Sequence, residues 1–287
     1  MLSILVPVYN YDVSGLCGEL VSQCSKAGID YEIIFADDCS PDTSLVQSNL
    51  GKITAGNARY TVLKENLGRA KIRNFLAKEA KGQWLLFLDC DSMPCEDNFI
   101  ATYLRHIDAS HCVICGGTKY KDRSTVTKEY FLHWKNGKNR EEGRKHFTTN
   151  NFLIRKDVFN AVEFDSSLKG YGHEDTVFGE QLKQKGFSIL HIDNCVYHLG
   201  LKTTDKFISD TVNAEKNLRK LYNNPSYTDL LGNLSIIRAY KKLEKYRLTA
   251  LYKGFVRTVS GCIDKQLHSN RPILRLLDIY KLYFFIQ

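Results

Sequence analysis

The sequence contains no long apolar run. A helix needs about 20 predominantly apolar residues to cross a bilayer, and no run of even about 18 occurs among the 287 residues. We therefore expect no membrane-spanning segment. No signal peptide is visible either, because the N-terminus begins directly with an apolar strand.

Paired cysteines are also missing. The nine cysteines are an odd number and are scattered along the chain, which is typical of reduced thiols in the cytoplasm rather than of a disulfide framework. Cys112 and Cys115 form a C-x-x-C motif within an apolar strand pattern, and no second pair accompanies them. We therefore expect a cytoplasmic protein without a zinc site.

The composition is that of a soluble globular protein, with 43% hydrophobic and 25% charged residues. The length suffices for one large domain or for a domain with an appendage. The net charge of +8 is unevenly distributed, because residues 201–287 hold 16 Lys and Arg against 7 Asp and Glu. The basic excess therefore lies in the C-terminal third.

Short apolar runs alternate with helical patterns in the N-terminal two thirds. Four strands alternate with helices over the first 90 residues, which predicts an α/β fold with a mostly parallel sheet. Residues 120–147 are polar and are predicted to form a mobile loop. The predicted strands cover residues 3–10, 31–36, 60–63, 85–88, 111–116, 149–155 and 187–192.

Acidic residues follow two of these strands. Asp89 and Asp91 come directly after the apolar run 85–88, at the edge where open α/β sheets bind ligands. Two carboxylates at this spacing can reach one hard cation, although an Asp-x-Asp also occurs as an ordinary strand end. Asp37 and Asp38 follow the strand 31–36, where two adjacent acids exceed what turn chemistry requires.

Three further features suggest a ligand site. Arg73 lies early in a helix, where a cation opposes the helix dipole, so we expect an anion such as a diphosphate nearby. Glu174 and Asp175 begin another helix, where the helix dipole alone would explain two carboxylates, but it does not require the preceding Gly170 and Gly172, which let the backbone approach a ligand closely. His198 follows a strand and is either a metal ligand or an ordinary polar residue.

Five motifs in this order resemble family 2 glycosyltransferases, which are inverting enzymes with the A-type nucleotide-sugar transferase fold. The likeness covers residues 1 to about 200. It is carried by an opening strand at 4–10, a DDxS turn at 37–40, an Asn66-to-Asn74 signature, a DxD at 89–91, and a GxGxED element at 170–175 of the galactosyltransferase and chondroitin-polymerase type.

The resemblance implies a Rossmann-like nucleotide-diphospho-sugar transferase domain at residues 1–204. Beyond it, the residue pattern itself predicts a basic amphipathic helical region at 205–287. It implies a UDP-sugar donor, bound through a divalent cation, Mn²⁺ or Mg²⁺. The family element usually has Trp at the positions of Tyr171 and His173 in this chain. The resemblance therefore does not imply which sugar the donor carries.

The same resemblance assigns roles to individual residues. Asp91 would hold the cation, with Asp89 supporting it and His198 completing the site in favour of Mn²⁺. Asp175 would be the general base, and Glu174 would hold the acceptor. The donor nucleotide would be bound by Pro7, Tyr9, Asp37, Asp38, Asn66, Arg73 and Asp89.

The basic C-terminal region suggests a partner. Its helices are predicted at residues 206–222 and 233–259, with apolar residues interleaved with Lys and Arg. Such helices suit an anionic membrane surface at the inner face of the cell membrane, and equally suit packing on the catalytic domain or on a second copy. Nucleic acid is not expected, because no recognition motif accompanies the charge.

Two other functions fit part of the pattern. A nucleotidyltransferase would use similar strands and acids, but would normally show a Gly-rich basic loop after the first strand, where residues 7–12 have none. A non-catalytic sugar-nucleotide-binding scaffold would be expected to have lost Asp91 or Asp175, and both are present. The favoured prediction is a glycosyltransferase acting on a glycan or lipid-linked acceptor in polysaccharide biosynthesis.

Overall fold

The computed structural model describes residues 1–108, 110–168 and 172–287. The strands are β1 (Leu2–Val8), β2 (Tyr31–Asp37), β3 (Ala58–Val62), β4 (Trp84–Leu88), β5 (Ser92–Pro94), β6 (Val113–Cys115), β7 (Thr118–Lys119), β8 (Asn151–Arg155), β9 (Ile189–His191) and β10 (Val196–His198). The α-helices are α1 (Ser14–Ala27), α2 (Thr43–Lys52), α3 (Arg69–Glu79), α4 (Phe99–Arg105), α5 (Phe131–Arg140), α6 (Lys156–Val162), α7 (Glu174–Gln184), α8 (Thr204–Tyr222), α9 (Pro225–Leu231), α10 (Ser235–Lys245), α11 (Thr249–Leu267) and α12 (Leu274–Ile286).

The chain divides into two compact units. Unit 1 comprises Met1–Tyr120, Glu142–Lys169 and Glu174–Gly200. Unit 2 comprises Lys121–Glu141, Gly170–His173 and Leu201–Gln287. The functional division predicted between residues 204 and 205 stays a prediction.

A seven-stranded sheet forms the centre of unit 1, with the strand order β3-β2-β1-β4-β8-β6-β9. β1 pairs in parallel with β2 and β4, and β2 pairs in parallel with β3. β8 is antiparallel to both of its neighbours, β4 and β6. The prediction of an α/β fold with a mostly parallel central sheet, flanking helices and C-terminal helices is confirmed.

The central strands are buried on both faces, which explains their continuous apolar sequences. Successive side chains of a strand point to opposite faces, and in β1 Ile4 and Val6 join one core cluster while Leu5 joins another. Leu86 and Phe87 of β4 divide between the same two clusters. The sheet thus separates two apolar layers.

Local signals set the helix boundaries of unit 1. Gly28 ends α1 with a φ of 61°, a left-handed conformation that glycine adopts at low cost. Asp42 caps α2, because its Oδ1 accepts from the Leu45 N–H at 3.1 Å. A glycine and an aspartate at the helix ends thus set these two boundaries.

A second, three-stranded sheet was not predicted. It has the order β5-β10-β7, and its strands are two or three residues long. His198 is the last residue of β10 and pairs with Ser92 of β5, whereas the sequence placed it beyond a strand. The short sheet therefore carries His198 back to the segment that follows Asp91.

Two expectations about unit 2 are wrong. The predicted mobile loop contains α5, whose Leu132 and His133 are buried, because a single apolar stripe suffices to dock a short polar helix. The predicted helix 233–259 is interrupted between α10 and α11, where Arg247 has a φ of 56°. A residue with this φ cannot continue a right-handed helix.

Unit 2 has its own core. It is formed by Leu132, Phe207, Val256, Ile263, Leu267 and Leu277. Within the described ranges, no helix is both long and apolar enough to cross a membrane.

Candidate active site

A cavity of about 330 Å³ lies in unit 1 at the carboxyl ends of β1 and β4 and beside the start of α3. This is the edge at which α/β sheets bind ligands. The lining residues are Pro7, Val8, Tyr9, Tyr11, Asp38, Asn66, Gly68, Arg69, Ile72, Arg73, Asp89, Cys90 and Asp91. The cavity therefore brings together most of the residues that the sequence selected for a donor site.

The two adjacent acids after β2 have different environments. Asp37 is 1% exposed, and its carboxylate accepts from the Ser40 N–H at 2.7 Å, from the Ser40 hydroxyl at 2.9 Å and from the Tyr60 hydroxyl. It does not line the cavity. Asp37 therefore holds the turn together, and its predicted contact with the donor nucleotide stays a prediction.

Asp38, in contrast, lines the cavity. Its Oδ1 accepts from the Leu67 N–H at 2.6 Å and its Oδ2 from the Gly68 N–H at 2.9 Å. The Asn66 side chain donates to the Asp38 carbonyl at 2.9 Å. Burial, together with the nearby Asp37 charge, raises the pKa of Asp38 despite the two N–H donors.

Arg73 lines the cavity and is also paired within the protein. Its side chain is 3% exposed, and Nη2 lies 2.7 Å from Asp89 Oδ1. Its Nη1 donates to the Arg69 carbonyl at 3.1 Å and lies 4.0 Å from Glu174 Oε1. The protein thus supplies carboxylate partners to Arg73, and the predicted phosphate contact stays a prediction.

The same arginines fix the start of α7. Glu174 is 6% exposed, and its Oε1 lies 3.5 Å from Arg69 Nη1. Asp175 Oδ1 accepts from the Thr176 N–H at 2.7 Å, so this carboxylate caps the first turn of its own helix. Glu174 thus faces α3, and Asp175 is the more accessible acid of the pair.

Asp91 lies against the segment 198–200. Its Oδ1 is buried and has no hydrogen-bond partner, and His198 Nδ1 lies 3.6 Å from it. Its backbone carbonyl accepts from the Leu199 N–H at 2.8 Å. A Cβ at Gly200 would lie 1.9 Å from Asp91 Oδ2, so glycine is required for this close approach.

Electrostatics favour the ionised form of Asp91. Burial raises its pKa, but the His198 imidazole and the Arg69 guanidinium outweigh that effect, and the net pKa is lowered. The pKa of Tyr11, which also lines the cavity, is raised by burial and by the Asp91 charge. The site therefore presents a carboxylate, not a carboxylic acid.

The donor set fits a divalent cation. An unpartnered carboxylate oxygen beside an imidazole nitrogen is the arrangement that Mn²⁺ accepts. No group of three or more His, Cys, Asp or Glu side chains with metal-binding geometry occurs in the part of the chain that the structure describes. Asp91 and His198 would therefore hold the ion together with ligands from substrate and water, while Asp89 is bonded to Arg73.

Part of the GxGxED element cannot be compared. Gly170 and Tyr171 lie outside the described residues. Gly172 has a φ of 95°, and a Cβ there would lie 2.6 Å from the Ala214 Cβ within unit 2. Packing and backbone conformation thus account for Gly172 without a ligand, and the resemblance of this element stays a prediction.

Several residues of the site were missed in the sequence. Tyr11 and Cys90 line the cavity, and Gly200 shapes the Asp91 environment. Tyr60 bonds Asp37 from the neighbouring strand β3. Two signals were available, because Cys90 stands between the two acids of the DxD and Gly200 follows a suspected metal-binding histidine by two residues. The bond from Tyr60 depends on strand register and left no local signal.

Comparison with known proteins identifies the class. The model of the family "Glycosyl transferase family 2" matches residues 3–167, more than half of the chain, and the chain belongs to this family of glycosyltransferases. The fold is similar to that of a Pyrobaculum calidifontis mannosyltransferase solved with GDP-Man and Mn²⁺ (TM-score 0.55, 13% identity, 80% of this chain and 67% of that one). Staphylococcus aureus TarS is also similar (TM-score 0.51, 19% identity, 82% and 43%).

Sequence relatives agree with this class. An uncharacterized glycosyltransferase of Haemophilus influenzae is 39% identical over 95 residues, covering 32% of this chain and 29% of that protein. Chondroitin synthase of Pasteurella multocida is 26% identical over 242 residues, covering 69% and 24%. The chain thus spans less than a third of the length of these two curated relatives.

Proposed function

We propose that the protein is a metal-dependent, inverting glycosyltransferase. It would move a sugar from a nucleotide-diphosphate donor, UDP-hexose or UDP-N-acetylhexosamine, to a hydroxyl of a glycan or lipid-linked acceptor in polysaccharide biosynthesis. The observation that carries the proposal is the unpartnered Asp91 Oδ1 beside His198, at the wall of a 330 Å³ cavity that also presents Asp38. The relatives named chondroitin synthase and beta-N-acetylglucosaminyltransferase support the choice of donor.

The cavity walls suggest how the donor binds. Tyr9 is 54% exposed and, with Pro7, offers an apolar surface against which a nucleobase can stack. Asp38 and Asn66 supply polar groups at the same wall. A divalent cation, when bound at Asp91 and His198, would neutralise the charge of the diphosphate leaving group.

Arg73 and Arg69 take different parts in this scheme. Arg73 is buried and orients Asp89 and Glu174, so we assign it a positioning role rather than direct phosphate binding. Arg69 is 47% exposed and lines the cavity, so we assign it the contact with the donor phosphates. Both assignments place positive charge beside the leaving group.

Asp175 is the proposed general base. It would take the proton from the acceptor hydroxyl as that oxygen attacks the anomeric carbon from the face opposite the leaving group. One displacement inverts the anomeric configuration. Glu174, held by the arginines, would orient the start of α7 and thereby Asp175, and would border the acceptor site.

A donor screen tests this proposal. The purified chain is mixed with Mn²⁺ and a panel of UDP-, GDP- and dTDP-sugars, and nucleotide release and thermal stabilisation are measured. We expect a response to a UDP-sugar that is lost in EDTA and in Asp91→Ala, and is retained in Asp97→Ala, an exposed control. No response to any donor from a folded protein would favour the scaffold alternative, and preference for a GDP-sugar would refute the uridine assignment.

The proposed location is the cytoplasm, peripherally at the inner face of the cell membrane. The net positive charge of the region 205–287 supports it.

A further inference from the structure

Unit 2 exposes an apolar patch where α10 meets α11. Leu251 is 71% exposed, Tyr246 65%, Phe255 60% and Leu248 41%. Leu251 and Phe255 are four residues apart in α11 and therefore project from one face of the helix. We call residues 238–258, which contain this patch, the α10–α11 corner.

The exposed face does not result from a poorly packed helix. Val256, Ile263 and Leu267 on the other side of α11 are buried in the core of unit 2, and Tyr252 packs against them. Tyr252 also donates a hydrogen bond to the Ile279 carbonyl at 2.9 Å. The helix is thus anchored by one side, and Leu251 and Phe255 are additional apolar groups directed to solvent.

Positive charge surrounds the patch. The α10–α11 corner contains seven basic residues and one acid, Glu244, which gives a net charge of +6. Six of the seven are exposed, and Lys253 is partly so. The basic residues are Arg238, Lys241, Lys242, Lys245, Arg247, Lys253 and Arg257.

The corner has a defined shape. Backbone N–H groups of Arg247 and Leu248 donate to the carbonyls of Glu244 and Leu243 at 3.0 and 2.8 Å, which closes the turn between the helices. On the flank of α11, Lys253 and Arg257 line a depression of about 410 Å³. Gly254, Tyr283 and Gln287 complete its wall. By the helical period, Lys253 and Arg257 lie on the side of α11 away from Leu251 and Phe255, so they add to the long-range attraction of the corner to an anionic surface.

We propose that the α10–α11 corner docks on an anionic bilayer, with Leu251 and Phe255 inserted at the level of the headgroups and the surrounding cations bound to lipid phosphates. This combination of an apolar ridge and a basic surround is characteristic of interfacial helices. The inference concerns unit 2 alone and does not depend on the donor or acceptor proposed above.

Charge decides between the bilayer and a second copy of the chain. A symmetric dimer through this corner would bring the same patch against itself, and each copy carries +6 there. An anionic bilayer instead attracts every one of these cations. Leu251 and Phe255 can insert into a fluid bilayer without a preformed pocket. An acidic protein partner would have to provide such a pocket.

Vesicle sedimentation with the full chain tests the proposal. Binding is measured to vesicles of phosphatidylcholine with phosphatidylglycerol and to vesicles of phosphatidylcholine alone, at low and high salt. The apolar variant is Leu251→Ser with Phe255→Ser, and its matched control is Leu50→Ser with Val62→Ser, which are 40% and 42% exposed in unit 1.

The charge variant is Lys242→Glu with Lys245→Glu, matched by Lys26→Glu with Lys78→Glu at exposed positions of unit 1. We expect binding only to the anionic vesicles and weakening in salt. Each corner variant should lower the partition coefficient roughly tenfold or more, and the controls should not. Thermal melts confirm that all variants fold.

Three results would overturn the proposal. The first is an absence of binding by the unmodified chain, and the second is equal binding by corner and control variants. The third is a concentration-dependent dimer in sedimentation velocity that the Leu251→Ser, Phe255→Ser variant abolishes, since the patch would then serve a second copy.

Discussion

Gly200→Ala perturbs Asp91 without removing its carboxylate. The new Cβ would lie 1.9 Å from Asp91 Oδ2 and 2.8 Å from Asp91 Cγ, and real Cβ atoms essentially never approach a heavy atom within 3.0 Å. The Asp91 side chain or the backbone must therefore move by about 1 Å, a displacement that typically lowers turnover about 100-fold in a positioned site. Overpacking should also cost about 1–3 kcal/mol of stability.

The assay is the turnover number with the best donor as a function of Mn²⁺ concentration, with the melting temperature measured in parallel. Gly18→Ala is the matched control, because its Cβ meets nothing within 4 Å. We expect Gly200→Ala to lower turnover and to require more Mn²⁺, while Gly18→Ala behaves as the unmodified protein. Unchanged turnover and metal requirement in Gly200→Ala would refute the assignment of Asp91 as the metal-binding carboxylate.

Three further predictions concern charged groups. Arg73→Met leaves Asp89 and Glu174 without their buried cation, so denaturant unfolding should show a loss of about 3 kcal/mol. Asp175→Asn should abolish transfer, measured as glycosylated product, while donor binding by calorimetry persists, because only the proton acceptor is removed. Burial raises the pKa of Glu215 to about 7. Between about pH 4.5 and 7 the native state therefore keeps the Glu215 proton, whereas the unfolded state releases it. The free energy of unfolding should fall by up to about 3 kcal/mol as the pH rises from about 4.5 to 7.

Each of these predictions has a result that contradicts it. If Arg73→Met unfolded at the same midpoint denaturant concentration as the unmodified protein, the arginine would not contribute to stability as predicted. Continued turnover by Asp175→Asn would remove it as the base. Glu215→Gln should flatten the pH dependence of unfolding, so an identical pH profile in that variant would assign the effect to other groups.

The fold follows from the sequence where strands are long and buried. Continuous apolar runs such as residues 85–88 specify strands covered on both faces, and their alternation with helices specifies parallel pairing. The antiparallel insertion of β8 left no local signal, because its apolar pattern is the same in either direction. The strands of the small sheet are two or three residues long, which is too short for periodicity to be recognised.

The sequence predicted which residues form the site, but not the environment of each side chain. Residue types selected Asp38, Asp89 and Asp91, and all three line one cavity. The sequence did not separate Asp37, which stabilises a turn, from Asp38, because the difference lies mainly in long-range bonds, from Tyr60 to Asp37 and from Leu67 and Gly68 to Asp38. It assigned Arg73 to a phosphate and gave no sign that this arginine is buried and paired with Asp89, because that pairing joins residues that are 16 positions apart.

The most direct test of the central proposal is Mn²⁺ binding measured by electron paramagnetic resonance with and without UDP. The proposal assigns two side-chain ligands to the ion, Asp91 and His198, so we expect weak binding alone and much tighter binding when the diphosphate completes the coordination. Asp91→Ala and His198→Ala should each weaken UDP-dependent binding, and Asp97→Ala should not. Mn²⁺ affinity that is independent of UDP, or unchanged in both ligand variants, would contradict the account.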